Sequence, residues 1–128
     1  MTEIRESYED YLKVIYFISK NKKGGWVSNL EISKILKVKP ASVSEMLYKL
    51  REKDLIDWKP RKLLRLNSAG KDLALKTINN NLVLKEFFIN ILKITDLDTI
   101  DKLCCKIEHH INTDISRALR ELITEVAD

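Results

Sequence analysis

The chain has few of the residues that interrupt helices or cross-link small domains. Its 128 residues include three glycines, two prolines and two cysteines. So few helix-breaking residues favour a largely helical protein. The cysteines, Cys104 and Cys105, are adjacent, and neighbouring cysteines rarely form a disulfide. The sequence therefore argues against a disulfide-rich secreted domain and is typical of a thiol pair in a reducing compartment.

Long apolar segments are missing as well. No run approaches the roughly 20 residues that a membrane-spanning helix needs. Residues 1–10 are polar and acidic, unlike a secretion signal. We therefore expect a cytoplasmic location and no membrane partner. Hydrophobic residues make up 45% of the chain and charged residues 33%, enough for one compact unit or for one domain with a helical appendage.

The net charge of +4 is unevenly distributed along the chain. Residues 34–71 contain eleven Lys or Arg against four acidic residues, a net charge of +7, whereas the chain from Lys76 onward carries −2. A basic block beside a mildly acidic one suggests a module that binds a polyanion, joined to a second unit. Charge alone leaves a solvated lysine-rich surface equally open.

Two short helical patterns with a tight connection follow a first helix over residues 3–20. Ser28 with Glu31 three residues later is a capping-box signature, and this helix extends to about Leu36. After a turn over residues 37–39, Pro40 suits the first position of the next helix. That helix has a polar N-terminal face and an apolar stripe formed by Val43, Met46, Leu47 and Leu50. These features predict a helix-turn-helix.

The remaining chain predicts a wing and a helical domain. Two short strands are predicted at residues 55–59 and 63–66, and a basic tip at residues 60–62 joins them. A long helix from Ala69 to about Ile94 is apolar on more than one face, so one side is expected to face a partner subunit. Two helices follow, at about 96–110 and 113–127. We expect a mainly α fold, with a winged helix-turn-helix DNA-binding domain over residues 1–72 and a helical metal-binding and dimerisation domain over residues 73–128.

Three separated segments carry a family resemblance. They are EDYLKVIY at residues 9–16, VKPASVSEML at residues 38–47 and CKIEHH at residues 105–110. In this order they resemble the diphtheria toxin repressor and manganese transport regulator family, over a span from about Ser7 to about Leu122. The resemblance implies a winged-helix DNA reader, a dimerisation domain and a divalent metal as co-repressor. Because the chain ends at residue 128, we expect the short form that lacks an SH3-like C-terminal domain.

A candidate metal site lies near the third segment. Cys105, Glu108 and His109 are spaced i, i+3 and i+4, so a helix would present them on one face. A thiolate, a carboxylate and an imidazole can bind a divalent transition metal, although a surface ion pair beside a core cysteine has the same spacing. The resemblance implies the metal and adds Asp10 as the fourth ligand. The thiolate favours iron(II), cobalt, nickel or zinc over manganese, a weak preference.

The resemblance also predicts that a second metal site of the family is absent. The positions of a family histidine and a nearby acid hold Asn81 and Lys85, and Asp101 replaces a further ligand. Lys13 stands where manganese-type members have glutamate. We therefore expect one divalent metal per subunit, which could be iron(II), manganese or another. The alternative is that these lysines neutralise the acids and the regulator needs no metal.

The predicted partner is double-stranded DNA, bound by a homodimer at a near-palindromic operator. Candidate base-edge contacts are Lys39, Ala41, Ser42, Ser44 and Glu45. Candidate phosphate contacts are Lys34, Lys37, Lys49, Lys59, Arg61 and Lys62. We predict a metal-gated transcriptional regulator, most simply a repressor of metal-homeostasis genes. A metal-independent regulator is the main alternative. A metal enzyme is remote because no nucleophile–base pair or glycine-rich phosphate loop supports catalysis, and an interaction-only winged helix would not need a basic wing.

Overall fold

The computed structural model describes residues 2–127, and the side chains of residues 7–126. Within this range six α-helices and two strands follow one another: α1 (Thr2–Ser19), α2 (Asn29–Leu36), α3 (Pro40–Glu52), β1 (Ile56–Trp58), β2 (Leu64–Leu66), α4 (Ser68–Glu86), α5 (Leu97–Ile107) and α6 (Thr113–Ala127). The predicted mainly α class is confirmed. The chain forms two compact units whose boundary falls inside α4, between Leu75 and Lys76. No helix in the described range is both long and apolar enough to cross a membrane.

Local sequence signals set the ends of α2 and α3. The Ser28 hydroxyl accepts from the backbone N–H of Glu31 at 3.1 Å, and the Glu31 carboxylate accepts from the backbone N–H of Ser28 at 3.0 Å. This is the predicted capping box. Lys37 ends α2 in the left-handed conformation, with φ of 57°, and Pro40 occupies the first turn of α3. The predicted helix-turn-helix is confirmed.

The wing is a two-stranded antiparallel sheet. Its register pairs Ile56 with Leu66, Asp57 with Arg65 and Trp58 with Leu64. Val27, just before α2, forms a bridge to the other edge of β2: its backbone N–H donates to Leu64 O at 2.8 Å and its carbonyl accepts from the backbone N–H of Leu64 at 2.9 Å. The wing is therefore anchored to the segment that leads into α2.

The core of the first unit is built from one apolar stripe of each helix and the inner face of the wing. Its buried members are Leu12, Ile15, Val27, Ile32, Val43, Leu47, Leu50, Ile56, Leu64, Leu66 and Ala74. On α3, Val43, Leu47 and Leu50 are fully buried at i, i+4 and i+7 spacing. Because that stripe faces the core, the polar face of α3 is left at the surface.

The second unit has a smaller core. Leu84, Ile100 and Cys104 are buried there, packed by Phe88, Ile107, Ile111 and Leu119. Cys104, one of the two adjacent cysteines, is thus a core residue of this unit. Regular α4 ends at Glu86 and continues as a π-turn over Phe87–Ile91, where the prediction had one regular helix to Ile94. The backbone N–H of Leu92 donates to Phe87 O five residues back, which widens this last turn.

The end of α5 also differs from the prediction. Asp96 caps the helix by accepting from the backbone N–H of Thr99 at 3.3 Å and from its hydroxyl at 2.7 Å. The helix then ends at Ile107, and Glu108–His110 form a tighter 3-10 turn. The predicted continuous α-helix to His110 is therefore wrong in its last turn. That change matters because two of the candidate metal ligands lie in the turn.

Candidate nucleic-acid interface and metal centre

The candidate DNA-contacting residues lie on the surface of the first unit. Ten of the eleven are exposed, and Ser44 is half-buried. The exposed ones are Lys39, Ala41, Ser42, Glu45 and Lys49 at or on α3, Lys34 and Lys37 at the end of α2, and Lys59, Arg61 and Lys62 at the tip of the wing. A polar helix face flanked by basic side chains is the arrangement that a helix-turn-helix presents to DNA.

Ser44 differs from its neighbours because its hydroxyl takes part in a contact between helices. The side-chain amide of Asn29, the first residue of α2, donates to Ser44 Oγ at 2.9 Å and to Pro40 O at 3.2 Å. These bonds join the N-terminal ends of α2 and α3. The sequence pattern did not identify Asn29, because an asparagine after an N-cap serine carries no signal of a bond to a residue 15 positions away.

A groove of about 510 Å³ lies between the start of α2, the recognition helix α3 and the wing. It is lined by Ser28, Asn29, Leu30, Ser44, Trp58, Arg61, Lys62 and Leu63. This space is bordered by polar groups of the two helix ends, by apolar side chains and by two cations of the wing. Its position between the predicted base-reading helix and the predicted phosphate-contacting wing suits a strand of DNA backbone.

Aromatic side chains hold the wing against α3. The rings of Tyr48 on α3 and Trp58 on β1 pack edge to face, with centroids 4.9 Å apart. The Arg51 guanidinium lies over both rings, 5.2 Å from Tyr48 and 5.4 Å from Trp58. Such contacts favour one fixed orientation of the wing. The basic tip is consequently held at a defined distance from the recognition helix.

In the second unit, Glu108 and His109 form a buried acid–imidazole pair. Glu108 is 1% exposed and His109 4% exposed, and His109 Nε2 lies 3.6 Å from a carboxylate oxygen of Glu108. Burial of a carboxylate and an imidazole is costly unless each has a polar or charged neighbour. A carboxylate and an imidazole together form a donor set that suits divalent transition metals, so these two residues fit the metal that the sequence predicts.

Asn80 holds the turn that carries this pair. It is buried on α4, and its side-chain amide donates to Glu108 O at 3.1 Å and to Ile111 O at 3.0 Å. The two bonds satisfy the carbonyls of Glu108 and Ile111 in the turn that follows α5. Sequence reasoning missed Asn80, since its partners lie 28 and 31 residues further along the chain.

Cys105 is separated from the buried pair. Its side chain is exposed, and its Sγ accepts from the Asn81 side-chain amide at 3.9 Å. Among the described residues, the ligand atoms of Cys105, Glu108 and His109 do not all lie within 4.8 Å of one another. The structure thus brings together two of the three ligands predicted on this segment. Burial raises the pKa of the neighbouring Cys104 thiol, which favours the uncharged form of a core residue.

The remaining candidate positions lie in both units. Asp10 is half-buried on α1 in the first unit, as is Lys13. In the second unit Lys85 forms an ion pair with Asp101, with 3.0 Å between Nζ and Oδ1. His110 is exposed. Lys85, which stands at one position of the predicted second metal site, is therefore paired with Asp101, which stands at another position of that site.

Family models cover both units of the chain. The model described as iron dependent repressor, N-terminal DNA binding domain, matches residues 3–64. The model described as iron dependent repressor, metal binding and dimerisation domain, matches residues 67–127. The chain belongs to the iron-dependent repressor family. This confirms the resemblance stated from the three sequence segments, and it makes the chain a DNA-binding transcriptional regulator rather than an enzyme.

Curated relatives of this iron-dependent repressor family member are similar over most of its length. An uncharacterised helix-turn-helix transcriptional regulator of Methanocaldococcus jannaschii is 29% identical over 124 residues, 96% of this chain and 97% of the relative. The transcriptional regulator MntR of Shouchella clausii is 30% identical over 119 residues, 91% of this chain and 79% of the relative. Both are named as transcriptional regulators, in agreement with the family.

Solved structures share the fold. The manganese regulator SloR has a TM-score of 0.75 at 28% identity, and ScaR with bound Zn²⁺ has a TM-score of 0.76 at 26% identity. Each comparison covers 91% of this chain and 53% of the other chain. The chain therefore spans about half the length of these two solved proteins. Their likeness confirms the fold class, a winged helix-turn-helix followed by a helical domain.

Proposed function

We propose that this chain is a metal-gated repressor that acts as a homodimer on near-palindromic DNA of metal-homeostasis genes in the cytoplasm. Residues 1–72 form the DNA-binding domain and residues 73–128 the metal-binding and dimerisation domain. The observation that carries the proposal is the buried Glu108–His109 pair inside a domain that matches the metal-binding and dimerisation model. A buried carboxylate and imidazole 3.6 Å apart offer two of the ligands that a divalent metal requires.

DNA reading is assigned to α3. Lys39, Ala41, Ser42, Ser44 and Glu45 lie at its N-terminal end, which in this motif meets base edges in the major groove. The phosphate contacts are assigned to Lys34, Lys37, Lys49, Lys59, Arg61 and Lys62, whose side chains are exposed and carry the charge that displaces counterions.

Glu108 and His109 hold the metal in this proposal, and the family resemblance adds Asp10 and Cys105. When bound, the ion supplies positive charge that neutralises the carboxylates and favours one conformation of the dimer. Such a ligand shifts the equilibrium only by its differential affinity for the DNA-competent and incompetent states. Iron(II), manganese and zinc all accept carboxylate and imidazole ligands.

One ion per subunit is proposed because of Lys85. Its ammonium group, paired with Asp101 at 3.0 Å, places a positive charge at the position assigned to a second ion. Coulomb repulsion disfavours another cation there. The same pair supports the alternative function, a regulator that needs no metal because a lysine supplies the charge.

The homodimer is supported by apolar side chains at the surface of the second unit. Leu82, Leu103, Ile115, Leu122 and Val126 are each between 39% and 57% exposed. An excess of exposed apolar residues on the helices of a small domain is typical of an interface with another subunit. A two-fold symmetric dimer would present two recognition helices, and its operator would share that symmetry.

The decisive experiment combines metal analysis of purified protein with DNA binding in the presence and absence of a chelator. We expect one ion per subunit and at least a tenfold loss of specific binding with chelator, a change of about 1.4 kcal/mol. His109→Ala should abolish metal binding, whereas the adjacent exposed His110→Ala should not. Specific DNA binding that survives both the chelator and His109→Ala would establish the metal-independent alternative.

A further inference from the structure

The side-chain amide of Asn29 has one orientation dictated by its surroundings. Its Nδ2 faces the backbone oxygen of Pro40 at 3.2 Å. A carbonyl oxygen only accepts hydrogen bonds, so the amide nitrogen must face it. The reversed amide would place two oxygens against each other. In this orientation Asn29 Oδ1 is shielded from solvent and accepts no hydrogen bond from the described residues. The bond that Nδ2 donates to Pro40 O nevertheless fixes the orientation of the amide.

This orientation decides how the Ser44 hydroxyl is used. The second proton of the Asn29 amide is donated to Ser44 Oγ at 2.9 Å. Ser44 Oγ is therefore an acceptor in this contact, and its own proton is available for another acceptor. Within the described residues no other hydrogen bond of this hydroxyl is found. Ser44 also borders the groove between α3 and the wing, together with Arg61 and Lys62.

We propose that Asn29 is a positioning residue for DNA recognition, because its amide orients the Ser44 hydroxyl so that the hydroxyl donates its proton to an oxygen or nitrogen acceptor of bound DNA. The inference rests on the proposed DNA contact of Ser44 and deepens it. A donor held in place before binding loses less rotational freedom on forming the complex than a freely rotating hydroxyl does. Asn29 thereby contributes to affinity through the Ser44 hydroxyl.

Two kinds of acceptor on DNA fit this chemistry, and they have different consequences. A phosphate oxygen would be met equally on any duplex, whereas a base-edge acceptor would be met only on the correct sequence. If the acceptor is a phosphate oxygen, loss of the Ser44 donor should weaken binding to all duplexes. In the second case it should lower the ratio of specific to non-specific affinity.

The test is a double-mutant cycle on the full-length chain. Dissociation constants are measured for wild type, Asn29→Ala, Ser44→Ala and the double variant, under the metal condition in which wild type binds best. The probes are a duplex selected by wild-type protein from a random library and an unrelated duplex of equal length. We expect each single variant to weaken binding to the selected duplex by about three- to tenfold, the range of one hydrogen bond. The double variant should be no weaker than Ser44→Ala.

The cycle separates a positioning role from a general structural one. If Asn29 acts only through its bond to Pro40 O, which remains when Ser44 is removed, Asn29→Ala will weaken DNA binding equally in the Ser44→Ala background, and the proposal is overturned. Binding by Ser44→Ala equal to wild type also overturns it. Asn29→Asp is a useful second variant because it keeps the shape, cannot donate, and would accept the Ser44 proton. Asn29→Asp should weaken DNA binding by a larger factor when Ser44 is present than in the Ser44→Ala background.

Two controls complete the experiment. Ser42→Ala, on the exposed part of the same helix, should combine additively with Asn29→Ala, since Ser42 is not a partner in either hydrogen bond of the Asn29 amide. Thermal unfolding shows whether each variant is folded; the Ser44→Ala result stands even where Asn29→Ala unfolds. Failure of wild type to select any sequence would contradict the proposed function instead, and is distinguishable from failure of the cycle.

Discussion

The ammonium group of Lys85 on α4 lies 3.0 Å from a carboxylate oxygen of Asp101 on α5. Both side chains are partly exposed, at 34% and 61%, so the pair adds little to stability, about 0–1 kcal/mol. Its importance is that it places a fixed positive charge where the sequence resemblance assigns a second metal ion.

Lys85→Glu should therefore allow a second divalent ion to bind. The substitution removes the cation and adds a carboxylate beside Asp101, which lowers the repulsion against another ion. Metal analysis after equilibration with manganese should give more than one ion per subunit, against one for wild type. Lys102→Glu is the matched control, since Lys102 pairs with Asp98 at 3.0 Å on the exposed face of α5. A count of two ions in wild-type protein would contradict the one-site proposal.

Asn80→Ala should weaken both folding and metal binding. The change leaves the carbonyls of Glu108 and Ile111 without their amide donors. The cost is about 1–3 kcal/mol for the buried Glu108 carbonyl and less for the part-buried Ile111 carbonyl. Loss of groups that orient metal ligands typically lowers metal affinity about 10–100-fold. Urea unfolding of metal-free protein and a competitive metal titration measure the two effects separately.

Asn79→Ala provides the control for that variant. Asn79 is exposed on the same helix. Asn79→Ala therefore makes the same change in composition and helix propensity as Asn80→Ala but should leave metal affinity unaltered. Equal effects of the two variants on metal affinity would show that Asn80 has no special role in holding the turn.

The double variant Arg61→Ala/Lys62→Ala should weaken binding to every duplex. Removing two wing cations from each subunit removes four from the DNA-bound dimer, which should reduce the slope of log affinity against log salt concentration by about 4. The ratio between selected and unrelated duplexes should stay nearly constant, since phosphates carry no base sequence. Lys102→Ala/Lys106→Ala removes the same charge from exposed positions in the second unit and serves as control. An unchanged salt slope in the wing variant would exclude a phosphate-contacting role for the wing.

Glu31 should make stability depend on pH in the acidic range. The hydrogen bond from Lys22, and then that from the Ser28 backbone, hold the pKa of Glu31 below its ordinary value. A depressed pKa means that the ionised form stabilises the fold above the unfolded-state pKa, about 4.3. This stability is lost as pH falls through the lower, folded-state pKa. Glu31→Gln should thus be less stable than wild type at pH 7, and the difference should shrink below about pH 4.

Chemical unfolding at several pH values measures this difference. Glu52→Gln, at an exposed position near the end of α3, removes the same charge without disturbing the capping box. A stability gap between Glu31→Gln and wild type that stays constant from pH 7 to pH 3 would show that the carboxylate charge contributes nothing.

Much of this fold follows from the sequence by itself, because the controlling interactions are local. Ser28 and Glu31 are three residues apart, Pro40 acts on its own backbone, and the stripe of Val43, Leu47 and Leu50 repeats with the period of the helix. Such features need no knowledge of distant residues. The net charge of residues 34–71 likewise indicates a polyanion-binding module from composition alone.

The tertiary structure decided what depends on residues distant in sequence. The helical spacing of Cys105, Glu108 and His109 assumed an uninterrupted helix, but hydrogen bonds from Asn80 support a tighter turn. Glu108 and His109 are buried while Cys105 is exposed. Asn29 and Ser44, and Lys85 and Asp101, meet only because packed helices bring them together. A single sequence carries local periodicity directly, whereas these pairings arise from the packing of whole elements.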